Sequence, residues 1–246
     1  MNNRTLDTFL DFGSKVIHKI ADILLPKEKE VVFLEKLGPN GLFKEIPLAK
    51  NLDQTTPPGF EAGKTKAMFN YKNSLCRQAI WEIKYRGNKN LVRDFSLLLY
   101  EFIIEELSDL ETFNNFKNPI LIPIPSSLAR EKEKGFNQCI LITRELMKID
   151  RERKGKNFTL AEDFLIKKID TPHQTKVSNR KKRLENLKGS FALNPASFLI
   201  GQLKNSPNHS FILIDDVITT GATMQEAFRT LKSTGIKKIR GFALAH

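Results

Sequence analysis

Asp215 and Asp216 stand directly behind four apolar residues, Phe211, Ile212, Leu213 and Ile214, and ahead of a hydroxyl-rich run, Thr219-Thr220-Gly221-Ala222-Thr223. The apolar run reads as a buried, parallel strand that ends at the two acids. Met224, Ala227, Phe228 and Leu231 then recur at helical spacing. A strand, a short loop and a helix N-terminus form an anion site, because the first-turn amides lack intrahelical acceptors. Carboxylates beside such a site fit a ligand carrying both a phosphate and hydroxyls, with a divalent cation nearby. Gly221 suits close backbone approach and an unusual φ. Val217 and Ile218 are expected to point back into the core. An ordinary strand–turn–helix with an acidic cap region uses the same residue types, but the whole run in order favours a ligand loop.

A second glycine-containing segment is a decoy. Gly59-Phe60-Glu61-Ala62-Gly63-Lys64-Thr65 has three residues between its glycines, where a P-loop requires four. Pro57-Pro58, not a strand, precedes it, and the segment reads as loop.

The run from Phe211 to Thr223 resembles the phosphoribosyl-pyrophosphate (PRPP) signature of type I phosphoribosyltransferases. That resemblance implies that Asp215 and Asp216 hold the ribose hydroxyls as the catalytic pair. It also implies that Thr219, Thr220, Gly221, Ala222 and Thr223 wrap the 5-phosphate. Other segments narrow the family: Lys84-Tyr85-Arg86-Gly87, Pro123-Ile124-Pro125, Lys134-Gly135-Phe136-Asn137-Gln138, then Gln174, Arg183, Asn186 and Gly189-Ser190-Phe191. In this order, from about residue 67 onward, they resemble the ComF family, which includes competence-associated and GntX-like proteins.

The resemblance implies an α/β, type I phosphoribosyltransferase-like fold, a mostly parallel sheet flanked by helices with a small N-terminal appendage. Residues 1–66 would form the appendage and 67–246 the transferase-like domain. Mg²⁺-PRPP or a related ribose-5-phosphate compound is the implied ligand, with Mg²⁺ carried by PRPP and not held directly by protein. Ser126, Ser127, Arg130 and Lys134 fall where such enzymes place a pyrophosphate loop. Lys134 stands at a usual arginine, keeping charge but losing the bidentate fork. Arg130 has a second reading, a surface ion pair with Glu131 or Glu133. The segment 170–188 takes the place of a mobile catalytic loop, with Gln174, Arg180, Lys182 and Arg183 reaching diphosphate on closure. His173 is an acid–base candidate, although a lone loop histidine is ordinarily just solvated. An acceptor-selecting hood would have to come from residues 1–66. ComF relatives carry a four-cysteine zinc ribbon there; this chain has no cysteine before Cys76, so no zinc is expected.

The elements that must position these groups read as follows. Leu6, Phe9, Leu10, Gly13, Val16, Ile17, Ile20 and Leu24 predict a first helix closed by Pro26. Val31–Leu34 reads as a strand, Pro39-Asn40-Gly41 as a turn and 51–66 as a loop. Leu75 to Ile83 and Leu91 to Leu107 predict helices. Strands are expected at 119–123, 164–166, 191–193, 211–214 and 239–244. Helices are expected at 136–149 and 222–233, the latter capped by Gly235. Such alternation argues for a mostly parallel sheet, and ligands there bind beyond the strands' carboxyl ends. Both the acidic pair and the 123–130 loop lie at such ends.

Composition sets the remaining bounds. The 246 residues are 40% hydrophobic with a net charge of +12, enough for one domain and a smaller appendage. No apolar run approaches a bilayer span of about 20 residues. The acidic N-terminal stretch is unlike a signal peptide, so a cytoplasmic location is expected. Cys76 and Cys139 suggest buried free thiols. From Ser126 to Ser190 there are 17 Lys/Arg against 9 Asp/Glu, densest at Arg180-Lys181-Lys182-Arg183. That bias supports an alternative function, a competence or DNA-uptake accessory that binds single-stranded DNA through a basic surface and keeps the PRPP pocket as sensor or relic. A solvated charged loop is the plainer reading.

Overall fold

A computed structural model describes residues 29–50, 61–168, 187–205 and 209–246. The expected first helix over 6–24, most of the 51–66 loop, and Gln174, Arg180, Lys182 and Arg183 with their cationic neighbours lie outside the described residues.

The chain begins its described part with α1 (Lys29–Glu45), where a strand is expected at Val31–Leu34. Val31 and Leu34 are buried while Phe33 between them is exposed, a spacing of three that belongs to a helix face and not a strand. α1 breaks at Gly38 (φ 59°, ψ −177°), just before Pro39. The break follows from the proline, which clashes with a helical preceding residue. The expected turn at Pro39-Asn40-Gly41 is thus a kink inside α1.

β1 (Thr65–Phe69) is the second departure, since its first residues fall inside the expected loop. α2 (Ser74–Trp81) and α3 (Lys89–Asn114) follow, capped by the Asn73 and Asn88 side chains respectively. Next come β2 (Ile120–Pro123), α4 (Leu128–Lys134), α5 (Gln138–Glu152) and β3 (Thr159–Leu160). β4 (Leu165–Lys167), β5 (Phe191–Leu193) and α6 (Phe198–Asn205) lead to β6 (Ser210–Val217), α7 (Ala222–Lys232) and β7 (Lys238–Ala245). The 123–130 segment is therefore only partly loop, because α4 starts at Leu128. The next helix opens at Gln138, two residues later than expected.

Five strands form one sheet in the order β1-β7-β6-β2-β3, every pair parallel. β4 and β5 stand apart as an antiparallel ribbon. β6 occupies the centre, and Phe211 to Ile214 are buried on both of its faces, as a helix-covered parallel sheet requires. One face packs Phe69, Phe95, Ile142, Ile212 and Phe242 with Leu34 and Leu42 of α1. The other packs Phe164, Phe211, Leu213, Met224 and Phe228. Glu226, buried on α7, accepts the Gly189 amide at 2.6 Å and pairs with Arg229, tying the approach to β5 onto this helix. Cys76 and Cys139 are both free and buried.

Candidate ribose-phosphate site

β6 carries its apolar run through the sheet centre and delivers Asp215 and Asp216 at its carboxyl end, both buried. The Asp216 amide donates to Asp215 Oδ1 (2.9 Å) and the Val217 amide to Asp216 Oδ1 (2.9 Å). Those bonds fix each carboxylate against the amide of the residue that follows it. Burial pushes Asp215 well above the usual carboxylate range, and the adjacent Asp216 charge pushes the same way.

The loop beyond is held at its base. The Ile218 amide bonds Ala245 O (2.9 Å), and His246 Nδ1 lies 2.7 Å from Ile218 O. Ile218 is buried as expected, whereas Val217 is half-buried against the α3-side core. Gly221 takes φ 76°, ψ −4° as the residue before α7, a left-handed conformation that glycine adopts without steric cost. A small pocket open to solvent is lined by Asp215, Thr219, Thr220, Gly221, Ala222 and Thr223. The expected phosphate loop and one expected acid therefore share a cavity at a helix N-terminus.

β2 ends beside β6, the Ile124 amide donating to Ile214 O at 2.9 Å. Asn137 locks this end to α5: its side chain donates to Ile124 O (3.1 Å) and caps the helix by accepting the Cys139 amide (2.8 Å). The two residues that open α5 then meet the acids. Gln138 Nε2 is 3.3 Å from Asp216 Oδ2, and Cys139 Sγ is 3.7 Å from Asp215 Oδ1. A helix N-terminus facing carboxylates is electrostatically favourable.

Ser126 donates to Glu131 at 2.6 Å, and Ser127 is buried at the start of α4. Arg130 and Lys134 sit one turn apart on α4. Lys134 Nζ lies 4.4 Å from the Tyr85 ring centroid. Burial holds Lys134 below the usual lysine range, and repulsion from Lys84 adds to that, while Asp216 pulls the other way. The expected diphosphate cation thus feels the charge of Asp216.

Lys84 was not foreseen as a site residue. Its Nζ is 3.4 Å from Asp216 Oδ2, and attraction to Asp216 holds its charge well above the ordinary lysine value. Its motif, KYRG, was visible, but nothing local in it points to an acid 132 positions away. Gln138 and Cys139 were hidden for the same reason.

Cys139 Sγ and the two carboxylates lie within 4.8 Å of one another, the group among the described residues that could hold a metal ion. A hard Mg²⁺ ion prefers oxygen, and burial keeps the thiol protonated well above the usual range. The donor set suits Mg²⁺ brought in on ligand oxygens better than a protein cage. The basic stretch is partly neutralised where described: Arg144 pairs with Glu162 and Lys148 with Glu145 inside it, and Arg153 with Glu101 of α3. No helix among the described residues is long and apolar enough to cross a membrane.

A family profile for the phosphoribosyl transferase domain matches residues 156–245. Fold, strand–loop–helix and profile define a type I phosphoribosyltransferase-like α/β domain. Two curated relatives resemble the chain beyond that profile. Competence protein F of Haemophilus influenzae is 27% identical over 169 residues, covering 68% of this chain and 66% of the relative. Competence protein ComFC of Bacillus subtilis is 29% identical over 174 residues, covering 70% of this chain and 59% of the relative. The chain thus spans less than two thirds of those relatives' lengths. It carries a phosphoribosyl transferase domain and is similar over about 70% of its length to competence proteins of the ComF type.

Proposed function

We propose that the site binds Mg²⁺-PRPP, or a related ribose-5-phosphate compound, and transfers the phosphoribosyl group to an acceptor. The observation that carries this reading is the continuity of Asp215 with the Thr219–Thr223 pocket, with Asp216 next to it at the same strand end and Lys84 paired to Asp216. Carboxylates accept hydrogen bonds from the ribose hydroxyls, while loop amides and hydroxyls cradle the 5-phosphate. Breaking the anomeric C–O bond develops positive charge on the ribose and negative charge on departing diphosphate. In this reading the acids steady the first and the lysines the second, the work that fixed charges do in a preorganised site. Mg²⁺ bound with the ligand would supply Lewis-acid neutralisation of the diphosphate. Calorimetry tests this: Mg²⁺-dependent heat with PRPP that disappears in Asp216→Ala is expected, and no heat with the unaltered protein would sink it.

A second reading, single-stranded DNA binding, is favoured by one surface feature beside Lys134. Trp81 and Tyr85 are each 43% exposed, with ring centroids 5.4 Å apart. Arg86 lies over Trp81, as Lys134 does over Tyr85. Exposed aromatics interleaved with cations stack bases with little sequence preference. Affinity that falls steeply with salt and weakens in Trp81→Ala supports this reading; salt-insensitive shifts count against it.

A further inference from the structure

We infer that Lys84 is a diphosphate-contacting cation of the ligand site, presented to it by a purpose-shaped widening of the helical turn at 82–86. The inference rests on the ribose-phosphate reading and adds a residue from outside the expected loops. After Trp81 the helix widens into a π-turn, Glu82–Arg86, in which the Gly87 amide bonds Glu82 O five residues back. Such single π-turns are rare and concentrate at functional sites.

The turn is pinned from several sides. Ile83 is fully buried, and buried Glu82 accepts Arg86 at 3.0 Å. Gly87 closes it in a left-handed conformation (φ 60°, ψ 37°). A Cβ there would meet the Phe136 ring at 3.1 Å, so the turn seats directly against the residue before the α5 cap. α5 is the helix whose Gln138 also reaches Asp216. Everything around Lys84 is fixed, yet Lys84 itself stays about one-third exposed (36%).

The contact it makes is an ion pair, not a tight hydrogen bond. At 3.4 Å from Asp216 Oδ2 the ammonium sits beyond the ordinary N–H···O range, with donors to spare. In the ligand-free site it offsets the repulsion between two adjacent buried acids. The chemistry of the ligand gives it a second role. When a carboxylate holds the ribose diol, the C1 diphosphate is one carbon–carbon bond from the C2 hydroxyl. A lysine on a flexible four-carbon stem beside that carboxylate reaches the diphosphate without leaving the acid. Ribose 5-phosphate offers the same diol and 5-phosphate but no diphosphate, which isolates Lys84's contribution.

The test compares Lys84→Met and Lys84→Arg with the unaltered protein, using Mg²⁺-PRPP and ribose 5-phosphate as probes. Calorimetry gives affinity, and fluorescence of Trp81, the one tryptophan in the chain, reports from the same turn. Lys84→Met is expected to weaken PRPP binding by about tenfold or more while moving ribose 5-phosphate by less than about twofold. Lys84→Arg should recover most of the PRPP loss, because charge is kept. Equal loss on both ligands would mean that Lys84 only orders Asp216, and overturns the inference, as does unchanged PRPP affinity in Lys84→Met. Absence of PRPP binding by the unaltered protein overturns the ribose-phosphate reading itself, a result separable from the other two.

Discussion

Cys139 Sγ, in the first turn of α5, stands 3.7 Å from Asp215 Oδ1, and both residues are buried. Burial and the nearby carboxylates keep this thiol protonated well above the usual range. The other thiol, Cys76, is pushed up to about 12 by burial. Reactivity requires thiolate, so neither cysteine should modify readily in the folded protein. Titration with a thiol reagent at pH 8 should find almost no fast-reacting sulfur natively and both thiols in denaturant. A native thiol reacting at the unfolded rate would contradict the burial described.

Asp215 makes the ligand-free site pH-sensitive. A carboxyl whose pKa is raised by folding binds its proton more tightly in the folded state. Its contribution to stability is fully present below the ordinary carboxylate value of about 4 and is lost as pH rises through the elevated one. Asp215→Asn removes that loss. The variant should melt higher than the unaltered protein at pH 8, with the gap closing toward pH 4. Equal melting at both pH values would show that the acid is not strained by burial.

Gly87→Ala should be costly. The left-handed φ and the Phe136 contact each oppose a side chain there, and together they predict destabilisation of about 1–3 kcal/mol. Thermal melting measures it; a change within about 0.5 kcal/mol, typical of neutral surface positions, would show that the turn relaxes freely.

Glu226→Ala and Glu226→Gln separate two jobs of one carboxylate. Both lose the Arg229 ion pair, but only alanine leaves the Gly189 amide without its acceptor. Alanine should therefore cost about 1–3 kcal/mol and glutamine roughly half that. Equal losses in denaturant melts would assign the whole effect to Arg229.

The central strand and its ligand loop were legible because their signal is local. Phe211 to Ile214 could only be a buried strand, and Gly221 announced its left-handed turn. The α/β class followed from alternation over the second half of the chain. Elements with weak local patterns misled. Val31-Val32-Phe33-Leu34 has β-branched residues that favour a strand, yet burial against α3 decided for helix. Thr65-Lys66-Ala67-Met68-Phe69 has no β-like composition; it becomes a strand because β7 offers it an edge. The site's outer contacts were illegible for another reason. Lys84, Gln138 and Cys139 reach the acids only once the sheet brings three distant segments to one end, and no spacing along the chain encodes that.

The strand order carries a kinetic consequence. Among the described strands β1 neighbours β7, Thr65 lying opposite Gly241, and β6 on the far side of β7 is likewise a late segment. The sheet's centre is thus made last, and β1, although synthesised early, has no neighbouring strand in the sheet until β7 emerges, only the local bridge between Leu48 and Phe69. Closing so long a loop is entropically slow. During translation β1 and the apolar faces of α2 and α3 must wait in a collapsed but incomplete state, exposed to aggregation. Nascent chains stalled before β7 should bind chaperones and resist none of the proteases that the finished sheet withstands.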